Sequence, residues 1–404
     1  MNRYFDLSGV RYIGLSGPEI TEAAIPVPNG CPELKELQLT YTSITTSGLS
    51  QLTVKDNITS LQISTAAVSD EFFAHPSQFP QLQQLFLNSD QLTNDGLSSL
   101  CQISSLRTLH LTQSEGVTNA VMDHIAYLNN LDRLSLHNVD ISRFRLDLKS
   151  PLTHLHITGE IIDQLPDQLV EQICNTTSLK TLELEQCSMT EADLLRICDL
   201  PLLTCLNIPN MDVTSAVIEK IATKGRFDYL GLSADRITEQ QVSQLNELSA
   251  FPDLRLGLNF QKPKESATAY DHLLVLQPET TLRFTRIKLT EKHRRIFNKK
   301  NVASIQLVGV TLPDDGLKSF KRTNPVWGIR IYDVPLSISD VRHIAKYNIE
   351  DELILFKTGL DETMIPALFE QSSLPRYLDI KFNKLTRDTR DQLLEQFPQN
   401  LLIF

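Results

Sequence analysis

Leucine and isoleucine recur along this chain in a fixed pattern. The stretch from Leu34 to Leu52 reads L-x-x-L-x-L, then I-T, then G-L-x-x-L. We call the second leucine of this stretch, Leu37, the anchor. Later anchors are Leu61, Leu85, Leu109, Leu134, Leu155, Leu182, Leu206 and Leu230, with spacings of 24, 24, 24, 25, 21, 27, 24 and 24 residues. The series extends back to Ile13 and resumes in the same frame at Leu282, followed by Ile305, Ile329, Leu353 and Leu378. Self-similarity at such a period indicates a repeat array.

Each repeat predicts two elements. The L-x-L core alternates with period two, which is typical of a short strand with one buried face. The G-L-x-x-L segment has helical spacing. Neither element buries its apolar side alone, but stacked neighbours bury all of them in one continuous core. We therefore expect a parallel sheet on a concave face and helices on a convex face.

A threonine or serine recurs before each helical segment and predicts an N-cap, because its hydroxyl can accept a hydrogen bond from a free backbone N–H. The positions are Thr21, Thr45, Ser69, Thr93, Thr118, Ser142, Thr190, Thr214, Thr238, Thr290 and Thr386.

These units resemble those of leucine-rich repeat proteins. They are similar to the 24-residue bacterial repeats and to the cysteine-containing class found beside F-boxes. The resemblance covers nearly the whole chain and implies an α/β horseshoe solenoid of about sixteen repeats. One slot departs from the family, which usually has Asn or Cys five residues after the anchor. Here that slot holds Thr42, Ala66, Asp90, Val139, Cys187, Met211, Asp235 and Val310.

We expect one solenoid domain over residues 1–404, with irregular repeats near 142–170 and 251–281. In the second irregular region the anchor is ambiguous between Leu254 and Leu256. A polar loop over 261–266 and a short helix from Tyr270 to Leu276 are predicted there. Leu402 lies 24 residues after Leu378 and predicts a final strand.

Composition and charge limit the classes of partner and the cellular compartments that the sequence favours. The net charge is −11, with −15 in residues 1–250 and +4 in residues 251–404. An acidic majority argues against nucleic-acid binding. No apolar run predicts a membrane span, and residues 1–15 lack the pattern of a signal peptide. The six cysteines show no clustering into disulfide caps, which indicates reduced thiols and a cytoplasmic protein, export as an effector being left open. We expect a monomer without a cofactor.

Histidines concentrate on three consecutive predicted strands. They are His110, His137, His154 and His156, with Arg133 beside them. The spacing of His154 and His156 places both on one face. One hypothesis is that these imidazoles hold a metal ion, but no Asp, Glu or Cys completes a ligand set. The alternative, which we favour, is a polar surface rich in histidine and a secondary contact patch.

A second cluster combines aromatic, aliphatic and arginine side chains on the last strands. It comprises Trp327, Arg330, Tyr332, Ile354, Phe356, Arg376 and Tyr377. Large apolar and arginine side chains on an open face are typical of interface hot spots. We predict a partner-binding surface here. The alternative is that these residues pack beneath a flanking loop.

The segment from Lys288 to Lys300 is basic, with six Lys or Arg residues. It predicts either the solvated face of a convex helix, which we favour, or a site for phosphate or an acidic partner.

Motifs of catalysis are missing from the sequence: it contains no G-x-S-x-G, G-x-x-x-x-G-K-[ST], H-E-x-x-H or C-x-x-C. We therefore predict a non-catalytic scaffold that binds a protein on the concave sheet. The alternative is a recognition subunit or secreted effector that targets a host protein or an enzyme complex. A metal site on the histidines is the least favoured reading.

Overall fold

The fold was analysed in a computed structural model. The structure describes residues 7–64, 68–89, 91–112, 124–138, 150–162, 164–251, 253–261, 270–320, 324–370, 375–396 and 401–403. The chain divides into two compact units, residues 1–205 and 206–404, which we call the N-terminal and C-terminal units.

The N-terminal unit contains a parallel sheet with one strand per repeat. The strands are β1 (Tyr12–Ser16), β2 (Glu36–Thr40), β3 (Ser60–Ser64), β4 (Gln84–Asn88), β5 (Thr108–Thr112), β6 (Arg133–His137), β7 (His154–Ile162) and β8 (Thr181–Cys187), and β9 (Cys205–Asn207) begins at its last residue. The helices are α1 (Pro26–Asn29), α2 (Thr46–Ser50), α3 (Asn94–Leu100), α4 (Asp167–Asn175) and α5 (Glu191–Cys198). Short 3-10 turns lie between the strands at Glu22–Ala24, Lys55–Asn57, Asp70–Phe73 and Pro76–Gln78.

The C-terminal unit repeats this arrangement. Its strands are β10 (Tyr229–Ser233), β11 (Arg255–Phe260), β12 (Glu279–Thr285), β13 (Val302–Val308), β14 (Val326–Tyr332), β15 (Ile349–Phe356), β16 (Tyr377–Asp379) and β17 (Leu401–Ile403). Its helices are α6 (Ser215–Lys224), α7 (Glu239–Glu247), α8 (Glu291–Phe297), α9 (Ile338–Ile344), α10 (Ile365–Leu368) and α11 (Arg387–Gln396), with 3-10 turns at Leu248–Ala250 and Asp271–Val275.

Anchor residues stack in register from strand to strand. Leu37 lies beside Leu61 and Leu61 beside Leu85, and the same pairing continues through Leu182. These anchors are buried, while the residues between them are half-exposed. The buried side of each sheet faces the helices, so the other side is open. We call it the open face. The predicted strands and their alternation are confirmed.

The irregular repeats appear where the spacing changes, although residues 139–149 and 163 lie outside the described residues. Strand β7 runs for nine residues, and its register against β8 shifts between Thr158 and Ile162. In the second region Leu230 pairs with Leu256, which excludes Leu254 as the anchor. Leu282, however, pairs with Leu258. The anchor slot therefore moves by one L-x-L step within β11, and the expectation that Leu282 continues the frame of Leu230 is wrong.

Two other local predictions are confirmed. A 3-10 turn occupies Asp271–Val275, within the predicted short helix, although most of the polar loop before it lies outside the described residues. Leu402 pairs with Leu378, so the chain adds a last parallel strand, β17, to the sheet of the C-terminal unit.

The predicted caps hold at most of the described α-helices. The hydroxyls of Thr45, Thr93, Thr190, Thr214 and Thr238 each accept a hydrogen bond from a backbone N–H of the first turn, and Thr386 accepts one from the N–H of Thr389. Thr21 and Ser69 precede 3-10 turns and make no such bond, so the prediction is wrong there. Thr290 donates its backbone N–H to Nδ1 of His293 instead. Thr118 and Ser142 lie outside the described residues.

The residue that follows several of the strands has a left-handed backbone conformation. Tyr41, Arg286, Asp333 and Lys357 have φ between 52° and 54°, and Gly309 has φ 57°. The N–H of each donates to the carbonyl of the neighbouring repeat, as from Asp333 to Phe356 O at 3.1 Å. This bend ends the strand without leaving the donor unpaired. It also places Asp333 and Lys357 at the sheet margin, where they form an ion pair at 2.8 Å.

The glycine of the G-L-x-x-L segment allows an acidic residue of one repeat to reach the cap of the next. Oε1 of Glu22 accepts hydrogen bonds from N–H and Oγ1 of Thr45, at 3.2 and 2.8 Å. These bonds lower the pKa of Glu22. A Cβ on Gly48 would lie 2.5 Å from Cγ of Glu22. Asp70 makes the same contacts with Thr93 in the following pair of repeats.

We expect Gly48→Ala to destabilise the N-terminal unit by about 1–3 kcal/mol, because the new Cβ overlaps Cγ of Glu22. Urea unfolding of the full chain measures this change. In a Glu22→Ala background the nearest neighbour becomes Cγ2 of Ile44 at 3.2 Å, so the same substitution should cost much less there. An equal cost in both backgrounds would contradict the role assigned to Glu22.

Candidate interaction surfaces on the open face

The register of the C-terminal unit places three rows of side chains on the open face. One row contains Gln306, Arg330, Ile354 and Asp379, a second contains Val308, Tyr332 and Phe356, and a third contains Ser304, Gly328, Glu352 and Tyr377. Neighbouring strands of a sheet lie about 4.8 Å apart, so members of one row touch or nearly touch. The predicted aromatic and arginine residues fall mainly in these rows. We call this region the aromatic–arginine surface.

Arg330 is the centre of this surface. Its Nε donates to Oε2 of Glu352 at 2.5 Å. Its guanidinium carbon lies 5.8 Å from the centroid of the Trp327 ring, within cation–π range. The side chain of Glu352 is only 14% exposed, whereas that of Arg330 is 37% exposed. The carboxylate therefore fixes the guanidinium in place while part of it stays exposed to solvent.

Trp327 is exposed because the strand is irregular at this point. The register between β14 and β15 shifts between Val326 and Gly328. Gly328 lies beside Glu352, and a Cβ there would be 3.3 Å from Cβ and the carbonyl oxygen of Glu352. Glycine thus lets the strands approach closely. Trp327, the only tryptophan of the chain, is 46% exposed.

Aromatic rings continue the surface towards the last repeats. The rings of Tyr332 and Phe356 lie 5.9 Å apart, and those of Phe356 and Phe382 lie 4.8 Å apart. Tyr332 and Phe356 are half-buried. Burial raises the pKa of Tyr332, so its hydroxyl stays protonated at neutral pH and can donate. The three rings form a continuous apolar strip next to the Arg330–Glu352 pair.

The end of the surface is polar. Tyr377 and Asp379 lie two residues apart on β16 and hydrogen-bond through their side chains. Burial, with the charge of Asp379 next, raises the pKa of Tyr377 to about 12. Burial also raises the pKa of Asp379. A buried carboxylate and a protonated phenol in contact provide one acceptor and one donor of fixed position.

Two predicted members contribute less than expected. Ile354 is on the open face but is only 8% exposed, so it supports its neighbours and offers little contact area. Arg376 precedes β16, has an 87% exposed side chain and lies 3.9 Å from Asp351, away from the other contacts. Glu352, Asp379 and Phe382 were not predicted. Glu352 could have been found by aligning strand positions, because it occupies the slot before the anchor Leu353.

In the N-terminal unit, three of the predicted histidines form a cluster. The ring of His137 lies 4.4 Å from that of His110 and 4.6 Å from that of His156. Phe86, which was not predicted, extends the row at 5.7 Å from His110. We call His110, His137 and His156 the histidine cluster.

Hydroxyl groups bind these rings. Both ring nitrogens of His137 are in hydrogen-bond range of hydroxyls, Nε2 with Ser135 at 3.0 Å and Nδ1 with Thr158 at 3.2 Å. Ser135 also lies 3.3 Å from Nδ1 of His156. Nε2 of His156 is shielded from solvent and has no hydrogen-bond partner among the described residues.

His154 and Arg133 occupy a separate row. The two residues pair with each other on adjacent strands, not with the cluster. Nδ1 of His154 is 2.7 Å from Oγ1 of Thr153, and Nε of Arg133 lies 3.7 Å from Oδ2 of Asp132. Burial and the charge of Arg133 lower the pKa of His154. The structure therefore does not bring His154 and His156 together around a shared site.

Burial makes two rings of the cluster resist protonation. It lowers the pKa of His110 to about 4 and that of His137 to about 3, and neighbouring imidazoles add to both shifts. In the described residues no group of three or more His, Cys, Asp or Glu side chains has an arrangement that could hold a metal ion. The cluster is a surface of imidazole rings and hydroxyl groups.

None of the six cysteines, all of which lie in the described part of the chain, forms a disulfide bond. Cys101 and Cys198 are buried at the ends of α3 and α5, while Cys174 is half-buried. Burial raises the pKa of Cys101 and of Cys187 to about 12. Since the thiolate is the nucleophile, these two thiols are unreactive at neutral pH.

Repeated parallel strands with stacked anchors, and helices packed on one side of each sheet, define a leucine-rich repeat architecture, so the predicted fold class is confirmed. No protein-family model and no curated protein sequence matches this chain. In the described residues, no helix has the length and apolar character needed to cross a membrane.

Solved structures of low similarity were found. An internalin from Listeria monocytogenes is 19% identical, with a TM-score of 0.37, over 76% of this chain and 83% of that chain. TLR13, in a complex with ssRNA13, is 13% identical, with a TM-score of 0.41, over 93% of this chain and 65% of that chain. The ectodomain of the Arabidopsis receptor kinase HAESA, in a complex with a peptide hormone, is 13% identical, with a TM-score of 0.32, over 94% and 71%.

The histidine cluster predicts a loss of stability in mild acid. The folded pKa values of His110 and His137 lie below the unfolded value, so the unfolded chain binds more protons as the pH falls below about 6.5. Stability present at neutral pH is therefore lost as the pH falls from about 6.5 towards 4. We expect a decrease of about 2 kcal/mol between pH 7 and 5, allowing for solvent screening of half-exposed rings.

Urea unfolding at the two pH values measures this decrease. The His110→Asn/His137→Asn variant should lose most of it, whereas His75→Asn, at an exposed turn, should keep it. A pH dependence that is the same in the double variant and in the wild type would contradict the assignment.

Proposed function

We propose that this chain is a non-catalytic binding protein that captures a protein partner on the aromatic–arginine surface. The observation that supports this most directly is the arrangement at Arg330, whose guanidinium is fixed by Glu352 and Trp327 yet remains partly exposed. Tryptophan, tyrosine and arginine are the residues that most often dominate binding energy at interfaces.

Rigidity adds to the argument. The surface residues lie on paired strands, where Asp379 is buried and the side chain of Glu352 is only 14% exposed. Side chains that are already ordered lose little entropy on binding, so more of the contact energy appears as affinity. The apolar strip of Tyr332, Phe356 and Phe382 would accept an apolar segment of the partner. Arg330 would pair with a carboxylate or backbone carbonyl beside it.

The histidine cluster is the second part of the proposal. Imidazole rings, Phe86 and serine or threonine hydroxyls offer weak, adaptable contacts, so we assign it a secondary role. We propose further that the chain acts as one solenoid domain and as a monomer, and that a protein and not a nucleic acid is the partner, given the net charge of −11. The alternatives, a recognition subunit or an exported effector, would use the same surface.

Alanine substitution tests the surface. We expect Arg330→Ala/Tyr332→Ala/Phe356→Ala to reduce partner binding at least about a hundredfold, because hot-spot residues each contribute 2 kcal/mol or more. The wild type and the variant, each immobilised, are compared for the proteins that they retain from the native cell extract. A matched variant, Arg342→Ala/Val275→Ala/Leu202→Ala, changes exposed residues off the open face and should retain the same proteins as the wild type. Equal retention by the triple variant on the open face would contradict the proposal.

The single tryptophan offers a direct readout. Protein labelled with 5-fluorotryptophan carries its fluorine at position 327 only, so any shift in the fluorine NMR spectrum reports on this surface. A purified partner should shift that resonance at the concentrations at which it binds. Binding that leaves the resonance unchanged would place the contact elsewhere.

A further inference from the structure

A cavity of about 590 Å³ lies in the C-terminal unit at the end of helix α8, away from the rows of the open face. Its walls are formed by Leu274, Arg294, Arg295, Asn298, Lys299, Lys300 and Ser319. Four of these seven side chains are cationic. The volume lies in the range of small-molecule sites, roughly 300–1,000 Å³.

Acidic residues balance only part of this charge. Nη1 of Arg295 lies 2.5 Å from Oδ2 of Asp271, and Nη2 of Arg294 lies 2.9 Å from Oε2 of Glu291. Lys300 is exposed and forms no ion pair among the described residues. The two paired guanidiniums keep unused N–H donors, because each has five and a single carboxylate engages only some of them.

Lys299 forms a buried part of the wall. Its ammonium hydrogen-bonds to Oγ1 of Thr280 at 3.5 Å and to the side-chain oxygen of Asn301. Burial lowers its pKa to about 8, so keeping this charge in the fold has a cost. A bound anion near the ammonium would reduce that cost.

A simpler reading is that the cations stabilise the C-terminal end of α8. Arg294 and Arg295 lie in its last turn, where positive charge interacts favourably with the helix dipole. That effect is small and involves charges at the helix surface. It does not explain why Lys299 is buried or why Lys300 faces the same cavity. Four cations around one space exceed what a seven-residue helix requires.

We propose that this cavity binds a small phosphorylated molecule. Guanidinium groups match phosphate oxygens in pairs, and lysine ammonium adds a point charge. Leu274 and the aliphatic parts of the basic side chains would contact the organic part of the ligand. The site is separate from the aromatic–arginine surface, so ligand binding here does not depend on the proposed partner.

Pyrophosphate is the probe for the first test. We expect it to raise the Tm of the full chain saturably and to bind with a stoichiometry of one by calorimetry, while sodium chloride at the same ionic strength does neither. Inorganic phosphate should act in the same way but more weakly, because it carries less charge. The absence of a saturable effect of pyrophosphate would overturn the proposal.

Two variants with the same change of charge distinguish a site from general attraction. Arg294→Gln/Lys300→Gln removes two cations of the wall and should weaken pyrophosphate binding at least about tenfold, since hydrogen bonds to charged groups contribute 1.5–3 kcal/mol. Lys288→Gln/Lys292→Gln removes two cations of the same segment that do not line the cavity and should bind as the wild type does. Equal weakening in both variants would show non-specific attraction and overturn the proposal.

A vesicle experiment distinguishes the sources of the phosphate. If a lipid headgroup is the ligand, the protein should sediment with phosphatidylcholine vesicles that contain phosphatidylinositol 4-phosphate, and pyrophosphate should release it. If a soluble ester is the ligand, pyrophosphate should bind and the vesicles should not. Sedimentation with these vesicles that pyrophosphate does not reverse would overturn the assignment of this cavity.

Discussion

Stacking of the anchor residues is the interaction on which the rest of this structure depends. A five-residue strand such as β2 buries only two leucines, which is too little apolar surface to fold alone. Placed beside its neighbours in register, each strand shares its buried face with the strands on both sides. Because the core takes one side of the sheet, the other side is free to vary. The open face can therefore carry charged and aromatic residues at little cost to the fold.

The order of strands and helices could be predicted from sequence because the same pattern of apolar positions recurs in every repeat. Fifteen anchors fix the phase, so a weak signal in one repeat is corrected by the next. The prediction was wrong where a repeat changes length. In β11 the anchor position shifts by two residues: Leu256 pairs with Leu230 on one side, and Leu258 pairs with Leu282 on the other. The spacing of leucines in the sequence did not reveal this shift. Left-handed residues such as Arg286 were also missed, since side-chain chemistry gives no sign of them.

The candidate surfaces show the same limit. Residue type located Trp327, Arg330 and Tyr332, because large aromatic and arginine side chains between buried positions are conspicuous. Their partners were less visible. Glu352 is one acidic residue among many until the register places it beside Gly328 and under Arg330. Likewise, sequence distance suggested that His154 and His156 act together, whereas His154 pairs laterally with Arg133 and the ring of His156 contacts that of His137 on the neighbouring strand. In a solenoid, lateral neighbours decide a site more than chain neighbours do.

Charge separates the functions that we assign to the two sides of the C-terminal unit. On the open face Arg330 is matched by a nearly buried carboxylate, so the local charge is balanced and contact depends mainly on shape and apolar area. At the cavity beside α8 the carboxylates of Asp271 and Glu291 engage two of four cations, and a positive excess remains. A balanced surface suits a protein, whose interface must be desolvated without leaving a charge unpaired. A cavity with excess positive charge suits an anion, because the anion supplies the missing negative charge. The net charge of +4 in residues 251–404, in an otherwise acidic chain, is concentrated where such a ligand would bind.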